Sequence, residues 1–276
     1  MTRTARRTGR PIQVAALGAA ALLALRACSS SDSDSSSTKS DSSASASAPE
    51  KVSGTVTVFA AASLKESFTT LGKEFEKAHP GTKVTFSFGG SDSLAASITG
   101  GAPADVFASA SPKTMAIVTD AGDASGTPAT FVRNQLEIAT LPGNPDRIAS
   151  LKDLTRSSLK VVLCDRTVPC GAAAQKALDA GRLKLTPVSY EQDVKAALTK
   201  VELKEADAAV VYKTDVHAAG DKVEGVEFPE SADAVNEYPI VQLKDTKNAG
   251  AASAFIALVR SAEGQKVLTE AGFLKP

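Results

Sequence analysis

The stretch VFAAASLKESFTTLGKEF, residues 58–75, decides the fold. A strand-like apolar run, 55–59, hands over to Ala60-Ala61-Ala62-Ser63, and a helical stripe starts at once, with Leu64, Phe68, Leu71 and Phe75 recurring on one face. A strand that turns directly into an amphipathic helix is the building unit of a parallel α/β sheet. The smallest side chains and one hydroxyl sit at the handover. In such sheets, ligands collect beyond the carboxyl ends of the strands, where helix N-termini present unpaired N–H groups and the positive end of the helix dipole.

The same alternation continues outward. His79-Pro80-Gly81 stops the first helix, 83–88 alternates as a strand, Gly89-Gly90 breaks it, and 91–99 reads as a helix. A strand at 104–109 and a helix at 112–118 follow. Beyond the Gly/Pro/Thr-rich stretch 122–130 a second series begins. It has strands at 135–140, 160–164 and 208–212, and helices at 151–154, 171–180 and 194–201. A strand at 238–243 and a helical pair, 249–261 and 264–271, close the chain. The expectation is two α/β lobes, each a mainly parallel sheet flanked by helices. Lobe 1 takes 52–133 and 239–276, lobe 2 takes 134–238, and the ligand cleft lies between them.

Four turns repeat the pattern seen at Ser63. Phe88-Gly89-Gly90-Ser91 again places small residues and a hydroxyl between strand and helix. Thr167-Val168-Pro169-Cys170-Gly171 opens a third helix, Tyr190-Glu191-Gln192-Asp193-Val194 a fourth, and Ala209-Val210-Val211-Tyr212 brings a phenol to a strand end. Taken alone, Ser63-Leu64-Lys65-Glu66 fits a capping box, in which the serine serves only its own helix. The recurrence argues instead for a cleft lined by neutral hydrogen-bond donors.

The chain before this body reads as an export signal. Five arginines (Arg3, Arg6, Arg7, Arg10 and Arg26) and no acid precede Cys28, and 14–25 is apolar but too short to span a bilayer. Without that stretch the otherwise balanced chain of 31 basic and 31 acidic residues carries a net charge of about −5, unsuited to nucleic acid or an anionic surface. Leu25-Arg26-Ala27-Cys28 resembles the lipobox of bacterial lipoproteins, with Arg26 where the usual residue is small or apolar. That resemblance implies a signal peptide over 1–27, lipidation at Cys28 and anchoring to the cell membrane. An ordinary secretory signal with a chance cysteine is the alternative. Residues 28–51, almost all Ser, Asp and Ala after the cysteine, cannot form a core and read as a disordered tether. Cys164 and Cys170, in an exported chain, form either a disulfide closing a small loop or two buried thiols, and their spacing is not a zinc pattern.

The motifs FAAASL (59–64), FSFGGS (86–91), GAPADVFASAS (101–111), VPCG (168–171), EQDV (191–194) and VVYKTD (210–215) together resemble the periplasmic molybdate-binding proteins, type II solute-binding receptors of molybdate ABC importers. The likeness runs over essentially all of 54–276, in the family's order. It implies a monomeric extracytoplasmic receptor that captures molybdate, and tungstate with it, and docks on the membrane subunits of an importer. It also implies no catalysis and no cofactor. The implied oxyanion ligands are the hydroxyls and backbone N–H groups of Ser63 and Ser91, the backbone N–H of Cys170 and of Val194, and the phenol of Tyr212. The molybdenum is then held only through its oxygens. Asp92 stands where relatives often carry a hydroxyl. An inward carboxylate would repel a dianion, so it is expected to face solvent or cap its helix.

Other classes fit less well. Neither serine sits in a GxSxG elbow, and His79 and His217 have no evident nucleophile to serve, so an enzyme is not expected. Ferric iron would want several tyrosine or carboxylate oxygens, and only Tyr190, Tyr212 and Tyr238 exist. A receptor of the same fold for sulfate or phosphate is the standing alternative.

Overall fold

The computed structural model describes residues 52–276; the expected signal segment, Cys28 and the tether lie outside them. The chain begins with β1 (Gly54–Ala61), a 3-10 turn (Ala62–Leu64), α1 (Lys65–Ala78), β2 (Thr82–Gly89), α2 (Ser91–Thr99), β3 (Val106–Ala108), α3 (Pro112–Asp120) and β4 (Ala124–Asn134). It goes on through β5 (Leu136–Thr140), β6 (Val161–Cys164), α4 (Pro169–Ala180), β7 (Ser189–Glu191), α5 (Val194–Glu202), β8 (Ala208–Tyr212), α6 (Lys213–Ala219) and β9 (Glu224–Val226). It ends with β10 (Asn236–Leu243), α7 (Ala249–Arg260) and α8 (Ala262–Glu270). No helix among these residues is long and apolar enough to cross a membrane.

The strands form two five-stranded sheets, in the orders β2-β1-β3-β10-β4 and β7-β6-β8-β5-β9. Both are mixed. In the first, β1 pairs in parallel with β2 and β3, while β10 runs antiparallel to β3 and β4. In the second, β6 is parallel to β7 and β8, and β5 is antiparallel to β8 and β9. Each sheet is thus a parallel βαβ core extended by strands at the points where the chain changes sheet. The chain crosses at Gln135 and returns on β10, which begins at Asn236, ahead of the expected return at 239.

Helix faces explain the layering. Phe68, Leu71 and Phe75 of α1 are fully buried, and Phe68 meets Phe255 of α7 edge-on at 5.9 Å between ring centroids. The closing helices therefore complete the core of the first sheet, and each such aromatic contributes roughly 2–3 kcal/mol on burial. The second core gathers Ile138, Val162, Val210, Ala174, Ala177 and Leu198 between its sheet and helices. Ala62, from the 3-10 turn after β1, packs into this second core. The small residues of the opening stretch are what let the two halves approach there.

Candidate anion site

Beyond the carboxyl ends of the parallel strands lies a small cavity. The chain lines it from six places: Ala61 to Ser63, Gly89 to Ser91, Ala110, Val168 to Cys170, Asp193 with Val194, and Tyr212. All five residues expected from the sequence, Ser63, Ser91, Cys170, Val194 and Tyr212, meet on it, and all five are buried. No Lys or Arg lines it.

Helix ends dominate the lining. The 3-10 turn before α1, α2 and α4 begin at Ala61, Gly90 and Val168, and none of these has a side-chain cap. By contrast, α3 and α8, which open elsewhere, are capped by Ser111 and Ser261. Uncapped first turns leave orphan N–H donors, and here those donors face one space. Asp193 caps α5 by accepting from Ala196 N–H at 2.9 Å on Oδ1, and Val194 beside it also lines the cavity.

Ser63 does not cap α1. Its Oγ lies 2.9 Å from the Tyr238 hydroxyl, and Glu66, its capping-box partner by sequence, instead pairs with Lys195. Ser91 Oγ accepts from Ala110 N–H at 3.0 Å. The Tyr212 hydroxyl accepts from Asn236 Nδ2 at 2.6 Å. Burial, with Tyr238 and Asp215 adding to it, pushes the Tyr212 phenol well above its ordinary range, so it stays protonated and able to donate.

Two glycines are required by close approach. A Cβ on Gly171 would fall 1.9 Å from the Asp165 carbonyl oxygen, so only glycine lets α4 start against the end of β6. A Cβ on Gly90 would sit 2.6 Å from the Gln192 carbonyl oxygen, across the seam between the two halves. Cys164 and Cys170 are joined by a disulfide with their Cα atoms 5.8 Å apart, closing the turn that delivers Cys170 to the cavity.

Asp92 keeps off the cavity, as expected of it. The residue is half-buried and does not cap α2, and its Oδ1 is buried without a hydrogen-bond partner. It packs beside Gly90, where a Cβ would lie 2.7 Å from that oxygen. Sequence reading also passed over Asn134, Asn236 and Tyr238. The one signal it offered was Tyr238 itself, a tyrosine in a chain that has three.

At the edge of the site, Lys195 of α5 bridges the halves. Its Nζ lies 3.0 Å from Glu66 Oε2 on α1 and 3.1 Å from Asp215 Oδ1 on α6. Burial pushes the Asp215 carboxyl up to about 6, with Lys195 pulling the other way.

A model of the bacterial extracellular solute-binding proteins matches residues 56–274. The molybdate-binding protein ModA of Mycobacterium tuberculosis (strain ATCC 25618 / H37Rv) is 44% identical over 228 residues, covering 83% of this chain and 87% of that protein. The periplasmic molybdate-binding protein of Azotobacter vinelandii superposes with a TM-score of 0.68 at 21% identity, over 80% of this chain and 99% of that one. The sulfate-binding protein SubI of Mycobacterium tuberculosis H37Rv gives the same TM-score, 0.68, at 20% identity, over 80% and 86%. These two likenesses speak to the fold, and the fold does not choose between the anions. With its family model spanning nearly all the described residues, the chain belongs to the bacterial extracellular solute-binding proteins, together with the molybdate-binding relatives that its motifs resemble.

Proposed function

We propose that this protein captures molybdate, and tungstate equally, outside the cytoplasm and delivers it to the membrane subunits of an ABC importer. In this reading it works as a monomer, tethered through a lipid on Cys28 and the Ser-rich segment after it. The observation that carries the proposal is the convergence of Ser63, Ser91, Cys170, Val194 and Tyr212 on a buried cavity with uncapped helix starts and no cationic side chain.

The chemistry follows from the donors. Molybdate and tungstate are fully deprotonated dianions near neutral pH, so their oxygens only accept. Hydroxyl and backbone donors aimed at such oxygens make charge-assisted bonds worth roughly 1.5–3 kcal/mol each, and a handful support tight binding. Hydrogen phosphate brings a proton that needs an acceptor. The one carboxylate on the lining, Asp193, is turned to its own helix through Oδ1, and Asp92 is not on the lining. Sulfate is also a bare dianion but smaller, so it is separated by cavity size. Closure of the two halves removes water and fixes the donors around the anion.

Thermal unfolding of the protein with molybdate, tungstate, sulfate, phosphate and ferric citrate in turn tests this, because a ligand of the folded state raises the midpoint by mass action. The expected result is a large rise with molybdate and tungstate alone. A rise with sulfate or phosphate instead makes the protein a sister receptor, and no rise with any of them sinks the site.

A further inference from the structure

We propose that Asn236 and Asn134 are positioning residues that fix the direction of the hydroxyl protons at the site, so that each hydroxyl on the cavity acts as a donor to the anion. The inference rests on the oxyanion reading above and deepens it.

A hydroxyl has one proton to give and accepts readily, so what stands behind it decides where that proton points. Behind each of the three cavity hydroxyls stands a donor. Ser91 Oγ is backed by Ala110 N–H. The Tyr212 hydroxyl is backed by Asn236 Nδ2 at 2.6 Å. Ser63 Oγ lies 2.9 Å from the Tyr238 hydroxyl, which receives Asn134 Nδ2 at 3.4 Å. Tyr238 accepts from the amide and gives its proton to Ser63. Ser63, having accepted, is left with its own proton for the cavity.

The amides themselves cannot turn round. Asn236 Nδ2 also faces the Pro169 carbonyl at 3.4 Å, an acceptor that would repel the amide oxygen. Asn134 Oδ1 accepts from Gln135 N–H at 3.0 Å, and its Nδ2 also reaches Thr214 Oγ1 at 2.8 Å. Both side chains are buried, and the two residues pair directly across β4 and β10. Two short relays therefore run inward from the crossing strands, Asn236 to Tyr212 and Asn134 through Tyr238 to Ser63. Their shared polarity makes the site blind to any oxyanion that must donate a proton.

Asn236→Asp keeps the shape and reverses the first relay, because a carboxylate takes the Tyr212 proton. Calorimetric titration at mildly alkaline pH compares molybdate with inorganic phosphate in the wild type, Asn236→Asp, Tyr212→Phe and the double variant. Asn236→Asp is expected to weaken molybdate roughly 100-fold, the loss of one charge-assisted bond and the facing of an acceptor to the anion. Phosphate should lose far less, because the Tyr212 oxygen can now receive its proton, so the preference for molybdate narrows. In the Tyr212→Phe background the added effect should nearly vanish.

Unchanged molybdate affinity in Asn236→Asp overturns the proposal. So does a molybdate loss that persists undiminished with Tyr212→Phe, which would mark simple charge repulsion. A wild type that binds no molybdate removes the oxyanion reading itself, and the relay with it. If Asn236→Asp does not fold, Asn134→Asp reverses the second relay, and its loss should be absent in the Ser63→Ala background; a loss that persists there overturns the proposal.

Discussion

The cavity and the contact just outside it join the same two halves by opposite means. Inside, neutral donors from both sides face one space and no side-chain cation is present. Outside, three charges meet, with Lys195 held between Glu66 and the fully buried Asp215. Adjacent residues of α5 serve the two regions: Val194 looks into the cavity and Lys195 reaches back to α1. The difference separates two tasks. In the proposed reading, recognition needs donors that hold a dianion without a counter-ion that would also welcome other anions. Joining the halves needs no selectivity, and the screened Lys195–Glu66 pair, placed away from the cavity and backed by the buried Asp215 on its own side, is suited to that.

Lys195→Met should break the outer region hardest. It leaves the buried Asp215 carboxylate without its counter-charge, a loss of about 3–5 kcal/mol in unfolding free energy at pH 7. The sign of the pH dependence follows from Asp215. Its folded value of about 6 lies above the usual 3.8, so the fold favours its neutral form. That contribution is fully present below 3.8 and is lost as pH rises through 6. The penalty of Lys195→Met should therefore shrink in denaturant titrations at pH 5, where the carboxyl is mostly neutral. A penalty equal at pH 5 and pH 7 would reduce Lys195 to a packing role.

Ser63→Ala probes the inner region, where affinity is the readout. Molybdate affinity by calorimetry is expected to fall by about 1–3 kcal/mol. Stability without anion should fall as well, because the buried Tyr238 hydroxyl loses the acceptor for its proton. A drop in stability with unchanged affinity would make Ser63 a structural residue.

The smallest effect is expected from Glu66→Gln. The Glu66 side chain is 48% exposed, so the pair with Lys195 is screened and worth under about 1 kcal/mol. A few-fold weaker anion affinity at low salt, converging with the wild type at high salt, is the outcome that ties this contact to closure. No salt dependence would detach it from binding.

Much of this was legible in the sequence because the βαβ units carry their own signals. The stripe of Phe68, Leu71 and Phe75 and the Gly and Pro breaks at 80–81 and 89–90 mark elements that bury one face whatever their neighbours do. The turns that carry the five cavity residues stood out because each follows a strand, and the resemblance to the molybdate-binding proteins picked out the residues within them. What escaped depends on partners far along the chain. β4 is an edge strand, exposed or half-buried over its first seven residues and carrying Gly126 and Pro128. Its identity comes from pairing with β10, about a hundred residues away. Asn134 and Asn236 look like ordinary polar ends of strands until that pairing sets them side by side. Asp92 was rightly kept off the cavity, but a carboxylate in a first helical turn ordinarily caps, whereas here one of its oxygens sits beside Gly90 instead.

The seam at Gly90 has a kinetic consequence. In the proposed reading, with no room there for even a Cβ and with the donor residues all buried, an anion inside would leave as the halves part. Its residence time is then set by how often the halves part, whatever the strength of any one hydrogen bond. A substitution along the seam would change how long the cargo is held while leaving its chemical preference intact. Selectivity and dwell would thus be tuned by separate residues.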